Sequence, residues 1–173
     1  MAQHTWFITG VSSGFGREMT EQLLERGDRV VGTVRDTGKV TDLLERYAEA
    51  FHAETLGVTD TVAIRDVVER SFARLERIDM IVSNAGYGLF GAAEELSDEQ
   101  IDRMIATNLV GSIQLIRAVL AHLRTQGGGA SSRSPPTAGR SPSRGTRCTT
   151  PPSGASRASW SRSPRRSRPS GSA

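Results

Sequence analysis

The chain has 173 residues, 36% of them hydrophobic and 24% charged, a size that suits one domain with an appendage. Its net charge of +3 joins two compositions: residues 1–129 carry 13 basic and 19 acidic side chains, a net of −6, whereas residues 130–173 carry nine Arg and no acid, a net of +9. The body therefore lacks the basicity of a nucleic-acid-binding domain, and a single cysteine, Cys148, excludes a disulfide framework or a cysteine metal cluster. No segment has the layout of a signal peptide and no apolar run approaches membrane length, so the expected location is cytoplasmic, with no membrane partner.

In chain order, the apolar run at residues 6–9, bounded by Gly10, predicts a first strand. It enters Thr9-Gly10-Val11-Ser12-Ser13-Gly14-Phe15-Gly16 and then a helical pattern over residues 17–26 that stops at Gly27. A glycine-rich turn between strand and helix lets backbone N–H groups approach an anion; the same glycines also serve a plain tight turn. Residues 29–34, a β-branched run, predict a buried parallel second strand. A second helix is expected over residues 40–50 and a third strand over 51–56. Asp60 is placed to cap a third helix carrying Val67, Val68, Phe72 and Leu75 at helical spacing. Residues 79–83 predict a fourth strand, ending at Asn84-Ala85-Gly86. Ser97 and Gln100 have capping-box spacing and open a long helix with Ile101, Ile105, Leu109, Ile113, Ile116 and Leu120 on one face. Strands alternating with helices imply a doubly wound parallel sheet. The expected order is 3-2-1-4, with a ligand crevice where it reverses, at the C-terminal ends of strands 1 and 4.

The motif Thr9-Gly10-xxx-Gly14-x-Gly16, together with Asn84-Ala85-Gly86 and Asn108 in Thr107-Asn108-Leu109-Val110-Gly111, resembles the short-chain dehydrogenase/reductase family over residues 5 to 129. The resemblance implies an α/β, Rossmann-like fold, a nicotinamide dinucleotide cofactor, and hydride transfer between a small-molecule alcohol and a carbonyl. It implies a cofactor site at Gly10, Ser12, Ser13, Gly14, Phe15, Gly16, Arg35, Val58, Asn84, Ala85 and Gly86. It also implies that Asn108 holds a water in a proton relay, and that the intact family member forms a homo-oligomer. An acid at the end of strand 2 would pair with a ribose hydroxyl; here that end is Thr33-Val34-Arg35-Asp36. The Arg35 fork suits a 2′-phosphate, so NADP is favoured, with NAD still possible through Asp36 and a solvated strand end as the plain reading of Arg35. After strand 3, where the family carries an acid for the adenine amino group, this chain has Gly57. His4, His52 and His122 have no partners for metal or nucleophilic work.

The family's catalytic Ser and Tyr-x-x-x-Lys are absent: Tyr47 and Tyr87 are the tyrosines, Lys39 the sole lysine, and all lie upstream of that site. Residues 130–173 hold all seven prolines and thirteen serines but no Leu, Ile, Val or Phe, a composition that cannot offset its ordering entropy and predicts disorder. Two readings compete, a natural basic tail for nucleic acid or membrane and an altered reading frame. Codons permitted for residues 147–162, regrouped in one constant shift, read Leu-Tyr-His-Thr-Thr-Lys-Trp-Gly-Ile, which restores Tyr-x-x-x-Lys. A frameshift near codons 127–130 follows as the expectation, leaving a truncated cofactor-binding half at 1–129 without a fifth strand, strand 4 as an exposed edge, and no catalysis. The alternative is a non-catalytic nucleotide-binding protein with a nucleic-acid-binding tail.

Overall fold

Five parallel strands make one sheet in the order β3-β2-β1-β4-β5: β1 Thr5–Thr9, β2 Arg29–Val34, β3 Phe51–Thr55, β4 Met80–Ser83 and β5 Ala130–Arg133. The computed structural model describes residues 3–134; the disordered, out-of-frame extension expected beyond, with Cys148, lies outside the described residues. Successive residues of β1 point to opposite faces. Phe7 joins Val31, Ile64, Val68, Ile81, Leu115 and Val119 under the helices α3 (Thr61–Leu75) and α5 (Gly111–Thr125). Ile8 joins Val11, Leu23, Leu24, Leu43 and Phe51 under α1 (Gly14–Glu25) and α2 (Thr41–Arg46). Both faces are thus covered by helices, as a near-continuous apolar strand such as β2 requires.

Strands 1 to 4 fall where the sequence places them, and Asp60 caps α3 by accepting from the N–H groups of Val62 and Ala63, both at 3.0 Å. The Ser97–Gln100 capping box opens α4 (Asp98–Ile105). Three expectations are corrected. First, the chain has a fifth strand, so β4 is not an edge: β5 pairs with it from Met80↔Ala130 to Ser83↔Arg133. Main-chain bonds and one turn residue make this strand, without apolar side chains. Gln126 donates to the carbonyls of Ile78 (2.7 Å) and Gly128 (2.6 Å), and the Ala130 N–H donates to Asp79. Second, the helix expected at 40–50 is shorter. Asp36 draws residues Thr37–Val40 into a 3-10 turn by accepting from the Gly38 N–H, and α2 then ends at Arg46. Third, the long helix is interrupted: α4 and α5 join through a π-turn at Ala106–Val110.

Over Asp98–Thr125 this compound helix is also long and apolar enough to cross a membrane by length and composition, contrary to the absence of such a run expected from the sequence. Its Leu115, Val119 and Leu123 are buried in the core with α3, and core helices share such length and apolarity with membrane spans.

Candidate functional site

The C-terminal ends of β1 to β4 open on a crevice of about 830 Å³. At its centre β1 leads into Gly10, whose φ of +74° and N–H bond to the Thr33 carbonyl (2.9 Å) turn the chain back over β2. A Cβ on Gly16 would lie 2.3 Å from both the Gly10 carbonyl oxygen and the Asn84 side chain, so only glycine allows this approach. The N-cap of α1 is Ser13, whose side chain makes no capping bond. The first N–H groups of the helix are therefore left to the crevice, where an anion can accept from them.

The second motif is fastened to the first. Thr9 is fully buried, and its hydroxyl oxygen accepts from the N–H groups of both Asn84 and Ala85 at 2.9 Å. The Asn84 amide donates in return to the carbonyls of Thr9 (2.9 Å) and Gly10 (3.0 Å). Beyond Gly86, the Asn108 side chain clasps the Tyr87 backbone, accepting from its N–H at 3.0 Å and donating to its carbonyl at 2.7 Å. Asn108 stands at the middle of the π-turn, and its carbonyl accepts from Ser112 Oγ at 2.8 Å and from the Arg133 guanidinium.

Charge around the crevice is one-sided. Arg35 and Arg103 line it, and no Asp or Glu does. Asp36, the acid that could have opposed a phosphate, is turned to cap the Gly38 N–H at 3.0 Å. At the end of β3 the lining is Leu56, Gly57, Val58 and Thr59. Here Val58 meets the start of α5 so closely that a Cβ on Gly111 would stand 2.5 Å from the Val58 carbonyl oxygen.

All eleven residues expected to hold a cofactor therefore share one crevice. Asn108 stands beside it as a clasp on Tyr87. Sequence reading passed over Thr9 as a fastening residue, and over Tyr87, Gln100, Arg103 and Thr107, which also line the crevice. The helical spacing of Arg103, Thr107 and Gly111 was the available signal for the helix face. Tyr47 packs against the α1–α2 core, and neither it nor Lys39 lines the crevice. His122 stacks on Phe72 with ring centroids 4.6 Å apart; His4 lies 3.8 Å from Asp79. Burial pushes the His52 imidazole below its ordinary pKa, assisted by Arg74 and Arg29. Among the described residues no cluster of His, Cys, Asp and Glu could hold a metal ion. A glycine cradle, open helix N–H groups and two arginines without a carboxylate fit an elongated polyanion such as a dinucleotide.

Residues 4–131 match the family model for short chain dehydrogenase. Oxidoreductase BOA17 of Botryotinia fuckeliana is 34% identical over 125 residues, 72% of this chain and 46% of that protein. The chain thus spans about half the length of the curated relatives it matches. A short-chain dehydrogenase from Streptomyces avermitilis superposes with a TM-score of 0.73 at 36% identity, over 76% of this chain and 49% of that one. ElxO with NADP bound superposes at 0.70 with 25% identity, covering 76% of this chain and 55% of that chain. A 3-ketoacyl-(acyl-carrier-protein) reductase from Brucella melitensis complexed with NADH gives 0.67 and 26%, covering 72% and 51%.

Proposed function

Because the chain belongs to the short-chain dehydrogenase family, a family of nicotinamide-dependent oxidoreductases, we propose that its crevice binds NADP(H) in preference to NAD(H). One observation carries the preference: Arg35 lines the crevice at the end of β2 while Asp36 is committed to its 3-10 turn. The chemistry such a cofactor would supply is hydride exchange at its nicotinamide ring with a small alcohol or carbonyl compound. The chain's own residues hold and orient it. The open N–H groups of α1 and the hydroxyls of Ser12 and Ser13 take the pyrophosphate, Arg35 the 2′-phosphate, and Val58 flanks the base. Asn84-Ala85-Gly86, fastened through Thr9, forms the floor beneath the ring.

Within these 173 residues no Tyr-x-x-x-Lys follows the crevice. The Asn108 carbonyl meets the Arg133 guanidinium, and the sole lysine, Lys39, does not line the crevice. We therefore read the chain as binding the cofactor without turning it over, since Tyr87, the tyrosine that lines the crevice, has no lysine four residues on to assist proton delivery to the substrate oxygen. Titration of the full chain with NADPH and NADH, followed by nicotinamide fluorescence, tests the preference. Arg35→Ser should weaken NADPH about tenfold, or about 1.4 kcal/mol, and NADH less than about twofold; equal losses refute it. Steady oxidation of NADPH by any carbonyl compound refutes the inactive reading.

A further inference from the structure

The connectivity of a dinucleotide orders its parts along the crevice. With the pyrophosphate at the start of α1 and the ribose at the end of β2, the base falls at the end of β3, beside Gly57 and Val58. The same crevice is lined by Thr107 and Arg103, one helical turn apart on the helix whose Gly111 approaches the Val58 carbonyl. Asn108 of the same helix turns instead toward Gly86 and Tyr87.

This end of the crevice holds a donor and no side-chain acceptor of comparable strength. Adenine presents a 6-amino donor, which a carboxylate would accept, but no Asp or Glu lines the crevice and the position for one is Gly57. A guanidinium has five donors and no acceptor. It matches a purine that offers O6 and N7 as adjacent acceptors, that is, a 6-oxopurine. Arg103 is exposed and forms no ion pair within 4.0 Å among the described residues, and its guanidinium has no bonded partner there; a Ser97 hydrogen bond and, after it, the Arg103 charge help hold the Glu99 carboxyl below its ordinary range.

We infer that Arg103, lining the same crevice as a Gly57 that offers no acceptor, lets the base end of that crevice take a 6-oxopurine dinucleotide on equal terms with the adenine one. The inference rests on the proposal that the crevice binds NADP(H). The full chain is titrated with NADPH and with its hypoxanthine analogue, each followed by nicotinamide fluorescence without any turnover. The two dissociation constants should agree within about threefold. Arg103→Ala should weaken the hypoxanthine form about tenfold and NADPH less than about twofold, toward the low end of what a bidentate pair discriminates. Gly57→Asp, whose Cβ enters open space, should restore a preference for NADPH of about tenfold. If NADPH binds and the analogue is weaker by tenfold or more, this inference falls and the cofactor reading stands. If Arg103→Ala weakens both alike, it also falls. If neither nucleotide binds, both are overturned.

Discussion

Thr9 joins the two motifs by one oxygen atom, because its buried hydroxyl accepts from two backbone N–H groups at once. Thr9→Val keeps the shape and leaves both donors without a partner, each costing about 1–3 kcal/mol. The variant should unfold at a lower urea midpoint with an unchanged slope, while Thr9→Ser, which retains the oxygen, should stay closer to the parent. Equal losses in the two variants would mean that the methyl group, and not the bond, matters. Asp28 shows the same economy at the opposite end of the sheet. Buried at 3% exposure, it accepts from the His4 N–H and the Trp6 indole, both at 3.0 Å, and from the Arg26 guanidinium. Burial alone would raise its pKa; Arg26, the His4 amide and the Trp6 indole outweigh burial and hold it below the ordinary 3.8. A carboxyl with a depressed folded pKa contributes stability that is present above its unfolded pKa and is lost as the pH falls through the folded value. Asp28→Asn should therefore be less stable than the parent by about 1–3 kcal/mol at neutral pH, and the gap should narrow below pH 3.8. A gap of the same size at pH 7 and pH 3, measured by chemical denaturation, would remove the charge from the account.

Among the elements, the π-turn at Ala106–Val110 does the most for the site, since it carries Asn108, whose side chain clasps the Tyr87 backbone. Asn108→Ala removes two bonds to the segment after β4, at a cost of about 1–3 kcal/mol. Hydrogen exchange of the Tyr87 amide should speed up by more than that of Asn84, which Thr9 holds independently. Uniform acceleration across the crevice would show that the clasp is not local. This turn was hidden from the sequence because one extra residue per turn hardly disturbs an apolar pattern recurring every three or four positions. Asp60 and the Ser97–Gln100 box were legible, because capping depends on residue type at fixed spacing. Strand β5 was not legible, because Ala-Ser-Ser-Arg lacks the apolar side chains by which strands are recognised and is held by its ladder and by Gln126. The crevice at the strand ends was legible for a related reason. Its glycines and its Asn84 are required by backbone approach and bonding, which are specific to residue type, whereas Arg103 lines it from a helix whose surface charges look alike in sequence.

For the whole molecule, the presence of β5 moves the hazard of self-association from a strand edge to a helix face. Had β4 been the edge, its apolar Met-Ile-Val run would have been open to pairing. Instead the outer strand is four residues long, polar, and carries Arg133, all features that discourage edge-to-edge pairing. Besides the scattered Phe15, Val62 and Phe90, the exposed large apolar side chains gather on α4, the π-turn and α5, where Ile105, Leu109, Val110 and Ile113 are each 43–48% exposed while Leu115, Val119 and Leu123 of the same helix are buried. A contiguous apolar patch of this kind drives association in water. The double variant Leu109→Glu with Ile113→Glu should therefore lower concentration-dependent light scattering at neutral pH, with the far-ultraviolet circular dichroism unchanged. Ser132→Lys, which adds a charge to the exposed edge strand, should leave the scattering as it is. If instead the lysine on β5 suppresses association and the helix variant does not, then the edge, despite its polar sequence, is the sticky element, and the four-residue ladder with β4 opens readily enough to expose the strand beneath.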